Sequence, residues 1–342
     1  MTMEACPFGS HRAGGGLPQP AERLDASMRL WPNEVLIQVQ ELHLDSSSMR
    51  QLAESCGGDR AGIAEAVRGI VARRGKMHNP VTGSGGILVG EVGEVGPAFP
   101  DRTLKPGETI ATMVSLSLTP LALDAVHEVD PATARIEVSG RAILFASGLF
   151  ARLPADIPRP VALALCDIAG APGQVRKIVR PGDTVAVLGC GKAGLTSLYA
   201  AREALAGSGR LIAADPDSRA IADIEAQGVA DEAMVLGLRD PLACHRAMAE
   251  ATGGRLADLT VSTTNAPGTE GAAILATRQG GRIYFFSMAT SFAAAALTAE
   301  GVGRDVEMLI GNGYTEGWLD TAFRLYREHP PLAEWLRRRF GA

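Results

Sequence analysis

The 342-residue chain is long enough for two domains with buried cores, and 46% hydrophobic against 21% charged residues marks an ordinary globular protein. Lys and Arg total 33 against 38 Asp and Glu, a net charge of −5, and no basic stripe interleaved with aromatics occurs, so nucleic acid is not an expected partner. No apolar run approaches the ~20 residues that cross a bilayer, so no membrane is expected as a partner. Met1 to Arg12 lacks a signal-peptide core, and the five scattered cysteines read as reduced thiols, which points to a cytoplasmic protein.

Residues 1–32 are rich in Gly and Pro and read as a surface arm, with Arg12 a candidate carboxylate clamp and His11 beside it. Glu34 to His43 alternates as a strand and breaks into Leu44-Asp45-Ser46-Ser47-Ser48-Met49. Residues 50–74 read as helical, interrupted at Gly57-Gly58. A polar turn holding Lys76 and His78 follows, and both read as solvated surface residues. Val81 to Gly86 leads into a Gly-punctuated strand pair over Ile87 to Gly96, and the Lys105-Pro106-Gly107-Glu108 turn precedes a strand over Thr109 to Val114. Up to residue 157 the pattern is β-rich and predicts a small barrel.

From residue 158 the pattern becomes α/β. Helices are predicted over Val161 to Ile168 and on to Val179, then a β-branched run, Thr184 to Leu188, ends at Gly189. Gly189-Cys190-Gly191-Lys192-Ala193-Gly194 has G-x-G-x-x-G spacing and opens a helical segment to Leu205. A second strand, Leu211 to Ala214, ends in Asp215. The first glycine permits the tight turn, the second lets backbone approach a pyrophosphate, and the third packs helix on strand. The helix N-terminus offers free N–H groups to phosphate. Asp215 stands where a carboxylate accepts both adenosine ribose hydroxyls and repels a 2′-phosphate, which favours NAD; Arg219 is close enough to leave NADP open. The blander reading of Lys192 is a solvated side chain beside the phosphates.

Helices over 218–227, 241–251 and 269–278 alternate with strands over Glu232 to Leu236, Asp258 to Ser262 and Arg282 to Phe286, the pattern of a doubly wound parallel sheet. Ligands bind beyond strand C-termini in such sheets, so Thr263, Thr264 and Ser287 are candidate cofactor residues. A strand over Val306 to Ile310 ends in Gly311-Asn312-Gly313-Tyr314, and Asn312 joins those candidates. Amphipathic helices with Trp318, Leu319, Phe323 and Leu325 end in Arg337-Arg338-Arg339.

The β-rich first part, the Lys-Pro-Gly-Glu turn, the Arg180-to-Leu195 nucleotide segment and the short C-terminal return resemble the medium-chain dehydrogenase/reductase superfamily. The resemblance implies a GroES-like β-barrel catalytic domain over 1–157, completed by 304–342. It also implies a Rossmann domain over 158–303 and an active site in the cleft between them. Zinc members take a Cys ligand where this chain has Asp45, and carry Gly-His-Glu where it has Gly85-Gly86-Ile87. Four clustered cysteines for a structural zinc are also missing, so no zinc and no other metal site are expected.

A narrower likeness lies in Cys6-to-Arg12, Leu44-to-Gln51, Arg74-to-Gly86, Ser115-to-Leu121 and Gly140-to-Gly148. These runs resemble the L-erythro-3,5-diaminohexanoate dehydrogenase family of lysine fermentation. That resemblance implies NAD-dependent oxidative deamination of (3S,5S)-3,5-diaminohexanoate to 5-amino-3-oxohexanoate and ammonia. The amine lone pair stabilises the developing cation, so the chemistry tolerates absence of a Lewis acid. A general base is required. Asp45, at the former ligand position, is the first candidate and equally reads as a helix N-cap. Asp167, a carboxylate within an apolar run, is the second, and equally reads as a buried structural carboxylate. Ser46, Ser47 and Ser84 are candidate substrate contacts, or caps and turn hydroxyls. Cys166 reads as core. The open alternatives are a zinc-independent alcohol or quinone reductase of the same superfamily, and a non-catalytic NAD(P)H-binding redox sensor. The apolar run Ser291 to Leu297 resembles a dimer-edge strand and implies a homo-oligomer, dimer or tetramer.

Overall fold

Alternating apolar residues make β1 (Val35–His43), with Val35, Ile37 and Val39 inside. The register shifts between Val39 and Glu41 against both neighbouring strands, so the inward parity changes and Leu42 is the next buried residue. In this computed structural model the described residues are 5–311 and 313–341, and the side chain of Ser46 and all of Asn312 lie outside them. The chain divides into two units, through Pro154 and from Ala155.

In the first unit β1 is followed by α1 (Ser46–Ser55), α2 (Arg60–Arg74), β2 (Ile87–Val95), β3 (Thr109–Thr112), β4 (Leu121–Asp130), β5 (Arg135–Leu144) and β6 (Phe150–Arg152). Among the described residues these strands form one antiparallel sheet in the order β4-β5-β1-β2-β3-β6. Helices α1 and α2 add Met49, Leu52, Ile63 and Val67 to its core. Residues 87–95 are one strand, where the sequence pattern predicted a pair. Gly90 allows close approach to the Gln38 carbonyl and does not interrupt the ladder.

The N-terminal segment differs from the predicted surface arm. His11 and Arg12 are buried. Arg12 donates in a fork to Glu34, Nε to Oε1 at 2.6 Å and Nη2 to Oε2 at 2.7 Å. Its other N–H groups reach the carbonyls of Asp25, Ser27 and Arg29. His11 Nε2 lies 2.8 Å from Glu34 Oε1, and the Trp31 N–H donates to Oε2. A guanidinium fork and a carboxylate match bidentately, which makes such burial tolerable. The clamp foreseen at Arg12 thus closes on the chain's own carboxylate. Lys76 is also buried, not solvated, and its Nζ donates to the Pro18 and Gln19 carbonyls at 2.8 and 3.2 Å.

The second unit runs α3 (Arg159–Ile168), α4 (Gly170–Ile178), β7 (Thr184–Leu188), α5 (Lys192–Ala204), β8 (Arg210–Asp215), α6 (Ser218–Gln227), β9 (Glu232–Val235) and α7 (Pro241–Thr252). It continues with β10 (Ala257–Ser262), α8 (Glu270–Ala276), β11 (Thr277–Phe285), α9 (Phe292–Gly301), β12 (Val306–Ile310), α10 (Trp318–Glu328) and α11 (Pro330–Phe340). The sheet is parallel throughout, ordered β12-β11-β10-β7-β8-β9. This is the doubly wound arrangement, and β7 is buried at every residue, as a central parallel strand should be.

Two expectations differ here. The described residues of 304–342 belong to the second unit: β12 extends the second sheet beside β11, and α10 and α11 pack on α3, α4 and α5. Ser291 to Leu297 is not a strand. Ser291 caps α9 by accepting from the Ala294 N–H, and the alanine run then has the best intrinsic helix former at four positions.

Candidate cofactor and substrate sites

The glycine turn between β7 and α5 is built by close contacts. Gly189 has φ +92°, in the left-handed region where a side chain is strained, and a Cβ there would meet the Thr264 backbone. A Cβ on Gly194 would overlap the Gly189 carbonyl, so the third glycine is required for α5 to seat on β7. Gly191 is different. It is exposed, and nothing lies within 4 Å of the Cβ it lacks. It is the N-cap of α5, and no side chain caps the helix. An open, uncapped helix N-terminus beside a glycine is a cradle for a pyrophosphate, so the residues fit a dinucleotide.

Of the surrounding candidates, Asp215, Thr263 and Thr264 bond to this turn. Asp215, half-buried at the end of β8, accepts from the Cys190 N–H through Oδ2 at 2.6 Å and from the Asp217 N–H through Oδ1 at 2.7 Å. Each oxygen keeps lone-pair capacity for a ribose hydroxyl. Burial and the Asp215 charge push the Cys190 thiol up to about 12, so it stays protonated. Thr263 donates to the Gly189 carbonyl at 2.8 Å and Thr264 to the Leu188 carbonyl at 3.2 Å, tying the end of β10 to the turn. Ala193 continues the first turn of α5. Arg219 is exposed at the start of α6, its backbone N–H on Asp217. Ser287, after β11, accepts from the Ala289 N–H and serves its own loop. Asn312 lies outside the described residues.

Asp167 is not a buried carboxylate. The neighbours Cys166 and Ile168 are buried, but Asp167 points outward from α3 and pairs with Lys192 Nζ at 2.5 Å. Lys192 also lies 5.7 Å from the Phe340 ring centroid. The lysine of the glycine turn is therefore held from two sides. Cys166 is core, as expected, with its thiol pushed up to about 12 by burial.

In the first unit Asp45 is the N-cap residue of α1, yet its side chain makes no cap hydrogen bond. Oδ2 accepts instead from the Gly85 N–H at 3.0 Å, and the residue is exposed. Ser84 lies 2.6 Å from Ser48 Oγ, 3.0 Å from Thr82 Oγ1 and 3.4 Å from Ser47 Oγ. Ser46 opens α1, and its side chain is outside the described set. Asp45, Ser47 and Ser84 are thus gathered at one place, and Ser48 and Thr82 belong there too. Helical periodicity along α1 is the signal that could have found Ser48, and three serines in a row hide it. His78 faces Arg74 and lies near Lys76; burial and these two cations lower its pKa.

At Gly86, where zinc dehydrogenases carry a histidine, φ is +103° and a Cβ would overlap the His43 carbonyl. Among the described residues no group of three or more His, Cys, Asp or Glu is placed to hold a metal ion. The residues present at this turn do not fit one.

The antiparallel sheet of the first unit and the doubly wound sheet of the second, with its open glycine turn, are the GroES-like and Rossmann folds found in solved dehydrogenases. A zinc dependent alcohol dehydrogenase 2 from Streptococcus pneumonia is similar in fold, with a TM-score of 0.55 at 17% identity over 91% of this chain and 84% of that one. Residues 11–154 match the model of the L-erythro-3,5-diaminohexanoate dehydrogenase N-terminal domain. Proteins named L-erythro-3,5-diaminohexanoate dehydrogenase are 43% identical over 95% of this chain and 96% of the relative in Acetoanaerobium sticklandii, and 41% identical over 97% of each in Fusobacterium nucleatum subsp. nucleatum. The chain belongs to the L-erythro-3,5-diaminohexanoate dehydrogenase family.

Proposed function

We propose that the protein catalyses the NAD-dependent oxidative deamination of 3,5-diaminohexanoate to 5-amino-3-oxohexanoate and ammonia, without a catalytic metal. The observation that carries this reading is near-full-length relationship to proteins named for that substrate. The open cradle at Gly191 and the ribose-ready Asp215 support the cofactor, NAD ahead of NADP. Nicotinamide, when bound, accepts hydride from the amine-bearing carbon.

The protein's own groups then have three tasks. A base removes the ammonium proton so that the nitrogen lone pair can follow the departing hydride, giving an iminium. Water adds to that carbon, the C–N bond breaks, and ammonia leaves with a ketone in its place. A carboxylate near the reacting nitrogen assists both the proton removal and the water addition. Asp45 suits this role, being exposed and engaged by a single N–H. Asp167 suits a supporting one, because its partner Lys192 lies in the phosphate turn. The assembly is a homo-oligomer in this reading, joined at the apolar edge formed by β12.

The test is NADH formation from 3,5-diaminohexanoate and NAD, with and without chelator. The expected result is chelator-insensitive turnover, with Asp45→Asn at least about a hundredfold slower and Asp167→Asn changed mainly in the KM for NAD. Intact NADH binding with no diamine turnover would move the reading to an alcohol or quinone reductase, or to a redox sensor.

A further inference from the structure

Ser48 is wholly buried, yet it is not in the apolar core alone; its hydroxyl lies 2.7 Å from Thr82 Oγ1 and 2.6 Å from Ser84 Oγ. Thr82 and Ser84 are themselves 3.0 Å apart. Three hydroxyls at mutual hydrogen-bond distance form a ring in which each gives its one proton to the next and accepts one. Such a ring is closed among neutral groups; Thr82 Oγ1 also accepts from the Ser84 N–H, and Ser84 Oγ lies 3.4 Å from Ser47 Oγ, a long contact that a stronger donor can replace. It joins the first turn of α1 to the turn 82–85. The next residue, Gly85, donates its N–H to Asp45. Ring and Asp45–Gly85 bond are therefore two fastenings of one turn to one helix end, made by residues three apart, the N-cap Asp45 and Ser48 in the first turn of α1.

We propose that Ser48 is a positioning residue: its buried hydroxyl closes the ring that sets Ser84 as an outward acceptor for the substrate ammonium and keeps the Gly85 N–H on Asp45. This rests on the reading of Asp45 as the base. Removing the Ser48 hydroxyl leaves Thr82 and Ser84 one partner short and loosens the turn. Asp45 then loses the N–H that fixes the direction of its carboxylate.

The experiment compares wild type, Ser48→Ala and Ser48→Thr as full-length protein. The first readout is amide exchange at Gly85 without substrate. The second is kcat/KM for the diamine. Ser48→Ala should exchange Gly85 faster and lower kcat/KM about tenfold. Ser48→Thr, which keeps the hydroxyl, should recover most of the loss. Unchanged Gly85 exchange in Ser48→Ala, or a threonine variant no better than the alanine one, overturns the proposal. Wild type that does not turn over the diamine sinks the functional reading instead, while the exchange result still decides whether Ser48 fastens the turn.

Discussion

Lys76 carries a side chain usually found in water into a site it shares with backbone carbonyls. Burial and the nearby Arg74 push its pKa down to about 8 from 10.5. The folded state therefore binds fewer protons than the unfolded chain between those values. The penalty of holding the charged form is full below pH about 8 and is relieved as pH rises toward 10.5. Wild type should gain stability over Lys76→Met across that window, measured as the difference in urea midpoints; a flat difference would contradict the assignment. None of this was legible in the sequence, where Lys76 lies in a polar turn. What buries it is a segment 57 and 58 residues away in the chain. Asp167 failed in the opposite direction: apolar neighbours in sequence made it read as buried, but one face of a helix can be open while the residues beside it are not. Asp45 and Ser84 were legible as candidates, whereas their tie through Ser48 is a tertiary fact.

Elements whose logic is local were read well. Strand β7, the glycine turn and Asp215 lie within one βαβ unit, and spacing alone dictates their geometry. That unit yields a sharp expectation. Gly194→Ala places a methyl against the Gly189 carbonyl, so α5 must shift off β7. Stability should fall by roughly 1–3 kcal/mol, and NADH binding, followed by fluorescence, should weaken by more than tenfold. Gly191→Ala meets no protein atom within 4 Å, so it should keep stability while binding still weakens. Equal stability losses in the two variants would mean the glycines do not divide their tasks this way. Elements whose identity depends on partners were read less well. The alanine run of α9 is apolar enough for an edge strand, and only its serine cap and the high helix propensity of alanine decide the matter. The N-terminal arm looked loose because Gly and Pro dominate it, and what fastens it is Glu34, outside the arm.

At the scale of the molecule, β12 is the outermost strand of the second sheet and exposes Leu309 and Ile310, while α9 exposes Phe292 and Leu297. An apolar edge with unpaired backbone groups is a place where another strand adds. In the oligomer we propose, Leu309→Lys should shift the sedimentation coefficient toward the monomer without loss of folded signal. A variant that sediments as wild type would remove this edge from the interface.

The turn at Gly86 also constrains the history open to this protein. Its backbone sits in a left-handed conformation against the His43 carbonyl, so an imidazole there demands a new backbone path before it can do anything useful. A single substitution toward the histidine of the zinc dehydrogenases would be paid in misfolded protein before any ligand geometry was gained. The step between the two kinds of site is therefore gated: the loop must change first and the side chain second. Directed evolution from this chain toward a metal-assisted alcohol dehydrogenase should stall at point mutation, and advance only when segments spanning 43–45 and 82–87 are exchanged together.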